Sequence, residues 1–378
     1  MISLGLLLHI YQPPDRFDDL LHRVVRESHR PLLRLLQARP DARVSLNLNW
    51  CLTEKWLEKG FEDCVESLDS LLRWERVELT GSAAYHPILP LIPRHEIRRQ
   101  ISYNSERHQE VFSSWKPRGF FPPELAFGHE LPPVLVDLGF EWCLADDIPY
   151  TCLHDVPPFD FVPVCADLPV LLRSSLWSKT FEACARHGAD GKALARKLVD
   201  DLQAWFDGKD GYVIIALEAD ALGEHRSGSL DRCLLGFLDE IGRQSDQIQL
   251  RQVGEIAAEF PHQPSDIPPG SWSTTVEDFW AGEFFPLWQS RYNNAHKLLW
   301  ELTDLAVSSV ARLQTKLDRS LNSGTFWWAT RETGELPAST SRGMKMLLDV
   351  IATAAPDNMN RALDLMAQLD TLFEDQAS

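Results

Sequence analysis

At 378 residues, 44% of them hydrophobic, the chain exceeds one ordinary core of ~100–200 residues and suits a barrel with an appendage. Asp and Glu number 55 against 37 Lys and Arg, a net charge of -18 that repels phosphate backbones and anionic lipid, so nucleic-acid and membrane-surface partners are excluded. Charged residues make up only 24%, and 13 Trp are present, which excludes a solvated acidic tail.

The first eight residues are apolar but lack a basic leader and stop at His9, far short of a membrane span and without a cleavage pattern. Seven cysteines, at 51, 64, 143, 152, 165, 184 and 233, form no C-x-x-C pair and are odd in number. They read as reduced, mostly buried thiols, and the expected location is the cytoplasm.

In chain order, strands are expected at 4–8, 44–48, 77–80, 119–121, 142–145, 169–172 and 212–217, with a weaker one at 249–253. Between them run helix-like stretches at 18–36, 94–112, 192–206 and 229–243, with apolar residues recurring at three and four. Strands alternating with helices of this length imply right-handed βα crossovers and a mainly parallel sheet. No G-x-G-x-x-G follows a strand, so an incomplete (β/α)7 barrel is expected over residues 1–260. Residues 260–270 carry four prolines in eleven positions, which excludes helix and inner strand, and 261–271 reads as a linker. Beyond it, helical patterns at 293–313, 341–354 and 358–373 predict a C-terminal helical bundle over 272–378.

Functional side chains of a parallel barrel gather at the C-terminal ends of its strands. There the sequence places His9, Tyr11 and Gln12, then Tyr85 and His86, then Glu124, then Glu218, Asp220, Glu224 and His225. Glu124 stands among Phe120, Phe121, Pro122, Pro123, Leu125 and Phe127, a setting that desolvates a carboxylate and raises its pKa. Glu218 and Asp220 share a strand face about 6.8 Å apart, and like charges so placed separate in pKa. Carboxylates from different strand ends with aromatic neighbours fit glycosidic bond cleavage, and the Trp excess fits stacking on sugar rings, with Trp280 a candidate platform. No G-x-S-x-G elbow, H-E-x-x-H or Cys nucleophile motif is present. His9, His86 and His225 lack the short spacing of a metal site, so neither metal nor organic cofactor is expected.

These segments resemble glycoside hydrolase family 57, which includes amylases, 4-α-glucanotransferases and branching enzymes. The resemblance is carried by His9-Ile10-Tyr11-Gln12-Pro13, by 77–81 running into Tyr85-His86-Pro87-Ile88-Leu89-Pro90, by Gly119 to Phe127, and by Leu217 to His225. Weaker similarity continues at 276–280 and 317–319. It implies a seven-stranded (β/α) barrel followed by helices, a retaining mechanism on α-linked glucans, Glu124 as nucleophile and Glu218 as acid/base. His9, Tyr11, Gln12, His86, Glu224, His225 and Trp280 would bind the saccharide. Two positions depart from the family pattern. Glu218 stands for its Asp and Asp220 for its following Glu, a length change of about 1.5 Å where retaining chemistry needs carboxyls ~5–5.5 Å apart; Tyr11 replaces a second His. Three readings follow: catalysis through Glu218, catalysis through Asp220, and a carbohydrate-binding relative without turnover. A zinc-dependent deacetylase on a similar barrel is a fourth. The linkage, the acceptor and the oligomeric state are not legible in the sequence.

Overall fold

The computed structural model describes residues 1–223, 228–309, 314–330 and 337–375. Ten strands form one sheet system: β1 (Ile2–Ile10), β2 (Val44–Leu48), β3 (Val77–Thr80), β4 (Gly119–Phe120), β5 (Trp142–Asp146), β6 (Val162–Cys165), β7 (Leu168–Arg173), β8 (Gly211–Glu218), β9 (Ile248–Arg251) and β10 (His262–Pro264). Seven of them make a parallel, nearly closed barrel in the order β1, β2, β3, β4, β5, β7, β8 and back to β1. Two seams are thin. A bridge between Gly81 and Phe120 joins β3 to β4, and a single register pair, Arg173 with Ile214, joins β7 to β8. β9 pairs with the first half of β1 and β2 with its second half, so β9 wedges the barrel open at its N-terminal end.

Side-chain alternation sets the two faces. Leu4, Leu6, Leu8 and Ile10 of β1 pack with helical residues in the largest core cluster. Leu7 instead meets Trp142, Leu144, Leu171, Ile214 and Ala216 in the barrel interior. The interior face of β1 therefore ends in His9, that of β5 in Asp146, that of β7 in Arg173 and that of β8 in Glu218. Register aligns Glu218 with His9, His9 with Asn47, and Asn47 with Thr80, giving one polar row across four strands at the C-terminal rim.

At the thin β7/β8 seam, side chains replace the missing ladder. Arg173 Nε donates to Ala216 O (2.8 Å), and Ala216 N donates to Ser178 Oγ (3.1 Å). Arg173 Nη1 also pairs with Asp146 Oδ2 at 2.8 Å, both side chains being buried. This fixes β8 two residues before Glu218.

The expected helix at 18–36 occurs but carries a π-turn, Val25–His29, between Asp18–Val24 and Arg30–Ala38. A second π-turn, Leu230–Leu235, precedes helix Gly236–Arg243. β6 was not anticipated; it returns antiparallel to β7 and carries β10 on its other side. The proline-rich stretch is thus no free connector: β10 is an exposed edge strand, where the lost N–H groups of proline cost no ladder bond, and Ile267 is buried in a barrel-side core cluster. Helices Asn294–Ser309, Ala338–Ala354 and Met359–Asp375 bury a separate apolar cluster. All seven cysteines are free thiols, Cys152 and Cys165 being half-buried and the rest buried. Among the described residues no helix is long and apolar enough to cross a membrane.

Breaking a buried ion pair from one side strands its partner charge, at about 3–5 kcal/mol. Arg173→Ala is expected to lower stability by that order in urea titration. Arg173→Met combined with Asp146→Leu should recover part of the loss, and a single variant as stable as the parent would show that the seam does not depend on this pair.

Candidate active site

Glu124 lies in a 3-10 turn, Pro123–Leu125, directly after β4. Its φ is +58°, followed by Leu125 at +49°, and His86 after β3 has φ +59°. Left-handed backbone at residues other than glycine costs on the order of 1–3 kcal/mol each and persists where surrounding structure enforces it. Here it is enforced at two side chains that face each other. His86 Nδ1 lies 3.6 Å from Glu124 Oε1.

The Glu124 carboxylate is held from outside the barrel. Trp272 Nε1 donates to Oε2 and Ser323 Oγ donates to Oε1, both at 2.7 Å. Burial pushes the Glu124 pKa up, while these two hydrogen bonds pull it back down. Neither donor was foreseen from the sequence. Trp272 follows the proline-rich stretch and Ser323 lies a few residues beyond 317–319, so order alone gave no sign that they meet Glu124.

Beside this carboxylate lies a stack of rings. Tyr11 lies on His86 with ring centroids 3.9 Å apart, and His9 lies 4.9 Å from Phe121. His86 Nε2 faces His9 Nε2 at 3.2 Å, and His9 Nδ1 meets Asn47 Oδ1 at 2.7 Å. Burial lowers the His9 pKa to about 4 and that of His86 well below the ordinary value, so both rings are neutral near pH 7 when unpartnered by an added proton. The Tyr11 hydroxyl is buried without a hydrogen-bond partner, and burial raises its pKa. A buried, unsatisfied hydroxyl is costly.

The carboxyls after β8 differ in their surroundings. Glu218 ends the strand on the interior face and is exposed to the cleft. Asp220, one turn further, is buried: Oδ2 accepts from Gln12 Nε2 (2.5 Å) and Oδ1 faces His29 Nε2 (2.8 Å). Gln12 accepts in turn from Arg16 Nε. The π-turn supplies His29, and neighbouring Ser28 Oγ donates to Ala219 O (3.0 Å). Gly223 permits this approach, because a Cβ there would stand 2.1 Å from Glu27 O. A π-turn often marks a functional segment, and this one backs the β8 turn.

The structure therefore brings together His9, Tyr11, Gln12, His86, Glu124, Glu218 and Asp220 at one rim. Glu224 and His225 lie outside the described residues. Trp280 is 68% exposed on the short helix Val276–Ala281, which packs against helix Asp147–His154. The tryptophan at the carboxylate is Trp272. Among the described residues no group of three His, Cys, Asp or Glu side chains is arranged to hold a metal ion.

Residues 9–263 match the Glycosyl hydrolase family 57 pattern. The chain belongs to that family. An α-amylase of Pyrococcus abyssi is 28% identical over 140 residues, which are 37% of this chain and 21% of the relative. A 4-α-glucanotransferase of Thermococcus litoralis is 25% identical over 140 residues, again 37% of this chain and 21% of the relative. The matched stretch thus spans about a fifth of each curated relative. In three dimensions, the crystal structure of the T. litoralis 4-α-glucanotransferase superposes with a TM-score of 0.73 at 15% identity, covering 93% of this chain and 60% of that one. A branching enzyme of this family from Pyrococcus horikoshii gives 0.66 at 16% identity, covering 99% and 94%.

The raised pKa of Glu124 has a stability consequence of definite sign. A carboxyl whose folded pKa exceeds its unfolded value stabilises the fold fully below the unfolded pKa and loses that contribution as pH rises through the folded pKa. Above the folded pKa the ionised group is a burden. Glu124→Gln keeps an acceptor toward Trp272 and a donor toward Ser323, so it is expected to raise the thermal midpoint at neutral pH. The gain should shrink as pH falls and vanish well below about 4.3, where the parent carboxyl is protonated in both states. An equal difference at both pH values would contradict the assignment.

Proposed function

We propose that this protein is a retaining glycosidase or transglycosidase acting on α-linked glucans, with Glu124 as nucleophile and Glu218 as acid/base. The observation that carries the reading is the held carboxylate at 124. A residue in strained backbone, fixed by donors to both oxygens and partly desolvated, is pre-organised to attack one carbon.

In this reading Glu124 attacks the anomeric carbon while Glu218, exposed on the cleft side of β8, protonates the departing oxygen and then activates water or an acceptor hydroxyl. Asp220 has both oxygens engaged by Gln12 and His29, which favours a positioning role for it over proton transfer. His9, His86, Gln12 and the unsatisfied Tyr11 hydroxyl surround the sugar at the cleavage point. Tyr11 supplies a donor and a stacking face but carries no proton near neutral pH. The curated relatives named above are amylases and a glucanotransferase, which supports α-glucan as the substrate class. Residues 272–378 belong to the working unit on this reading, since Trp272 and Ser323 finish the site. Glu224 and His225 complete the saccharide contacts, as the family resemblance implies.

A second reading, carbohydrate binding without turnover, draws on the exchanged acid types at 218 and 220. The two separate in one experiment. Malto-oligosaccharides incubated with the parent should yield shorter or transferred chains, Glu124→Gln and Glu218→Gln should each lose at least about 100-fold in kcat/KM, and an activated glycosyl fluoride should label Glu124 in mass spectrometry. Calorimetric binding with no product, unchanged by Glu124→Gln, supports the binding protein instead.

A further inference from the structure

The hydrogen bonds around Glu124 do not close unless one more proton is counted. Asn47 Nδ2 donates to Thr80 Oγ1 at 2.8 Å and also faces Gly81 O, so Asn47 Oδ1 is an acceptor and His9 Nδ1 must carry the proton between them. A neutral His9 then has a bare Nε2, which accepts from His86 Nε2. A neutral His86 in turn has a bare Nδ1, and that atom faces Ser323 Oγ at 3.0 Å. Ser323 owns one hydroxyl proton, yet both His86 Nδ1 and Glu124 Oε1 are placed to take it. With Glu124 ionised and both imidazoles neutral, one of these contacts has no proton. A single added proton satisfies every bond in the chain, and it can sit at either end.

We propose that Glu124 and His86 hold one exchangeable proton between them, relayed by the Ser323 hydroxyl, so that the nucleophile ionises by passing its proton to His86. In the resting arrangement the proton is on Glu124 Oε1, which donates to Ser323 Oγ, while Ser323 donates to His86 Nδ1. In the reactive arrangement the Glu124 O–H bond has broken and its proton is on Ser323 Oγ. The former Ser323 proton is now on His86 Nδ1, and Ser323 donates to the carboxylate. No proton enters or leaves, and the products are a carboxylate and an imidazolium 3.6 Å apart.

The surroundings suit this exchange. Ser323 is almost fully buried, and its backbone N–H donates to His86 O at 2.9 Å, which fixes the hydroxyl between the two groups. The titratable groups facing His86 and Glu124 are His9 and Tyr11, with Asp220 acting on His9 from further away. The Tyr11 ring lies flat against His86 and favours a cation there. Among the described residues neither Lys nor Arg forms an ion pair with Glu124, so in the reactive arrangement His86 is its countercharge.

The role of Glu124 as nucleophile rests on the proposed function, but proton sharing can be read without turnover. In protein labelled with 15N at histidine and 13C at glutamate, His86 is expected to keep its Nε2 proton throughout, and its Nδ1 shift should move with the same midpoint as the Glu124 carboxyl carbon. In Glu124→Gln the Nδ1 shift should stay fixed over about pH 5–8, the span in which an unperturbed histidine titrates. Separate midpoints, or an Nδ1 titration that survives Glu124→Gln, overturn the proposal even if the enzyme is active. A shared midpoint in a protein inert on every α-glucan leaves it standing while the function falls. If the enzyme is active, Ser323→Ala should lower kcat more than it raises KM and move the acid limb of kcat/KM up by about one pH unit, a tenfold change in ionised fraction. Ser323→Thr should restore the limb. An acid limb unmoved in Ser323→Ala counts against the relay.

Discussion

The grip of Trp272 and Ser323 on the Glu124 carboxylate is the constraint around which this structure is organised. Both donors come from chain beyond the proline-rich stretch, and each bonds one oxygen at 2.7 Å. Because Glu124 sits in left-handed backbone, its side chain has little freedom to seek other partners, and the C-terminal region must be docked for the carboxylate to be satisfied. Docking is secured by further polar contacts close by. Gln100 bonds both the backbone and the side chain of Asp318, Arg99 pairs with Asp318, and Arg319 pairs with Glu54. Helix packing in the C-terminal part and geometry at the barrel rim are therefore parts of one problem.

The opposite wall of the cleft depends on register instead. Glu218, His9, Asn47 and Thr80 are neighbours across four parallel strands, so a slip of one residue in any of them would turn its member of the row away from the cleft. At β8, where the ladder to β7 is a single pair, the arginine and serine side chains at Ala216 do the work of missing backbone bonds. Placement of Glu218 thus leans on side chains bonded two residues back along the strand, while Glu218 itself is exposed.

Much of this was legible in the sequence for a simple reason. Buried parallel strands are short apolar runs, and polar residues that interrupt them at one end are conspicuous, as His9, Glu124 and Glu218 were. The fold class followed from alternation alone. What could not be read were residues whose role depends on distant packing. Ser323 is an ordinary serine before a short helix, and Asn47 closes an apolar strand with nothing to mark it. His29 lies in what looks like an uninterrupted helical pattern, since a π-turn adds a residue without altering composition. Trp272 bonds the carboxylate although no motif marks it in the sequence. The proline-rich stretch also misled in part, because proline excludes an inner strand but not the edge position that β10 occupies.

On the proposed reading, packing accounts for the exchange of acid types at 218 and 220. Asp220 lies between Gln12 and His29 with contacts of 2.5 and 2.8 Å, on a turn pressed against the π-turn so closely that Gly223 cannot carry a side chain. A longer carboxylate at 220 would have to displace one of those partners or the turn itself. Glu218, longer by about 1.5 Å than an Asp, is exposed at the end of β8. On the proposed reading the two substitutions are therefore one adjustment: the short acid fits the space the π-turn leaves, and the long acid makes up the reach. Each is a departure from the family pattern when taken singly; together they leave the short acid held by Gln12 and His29 and the long acid exposed.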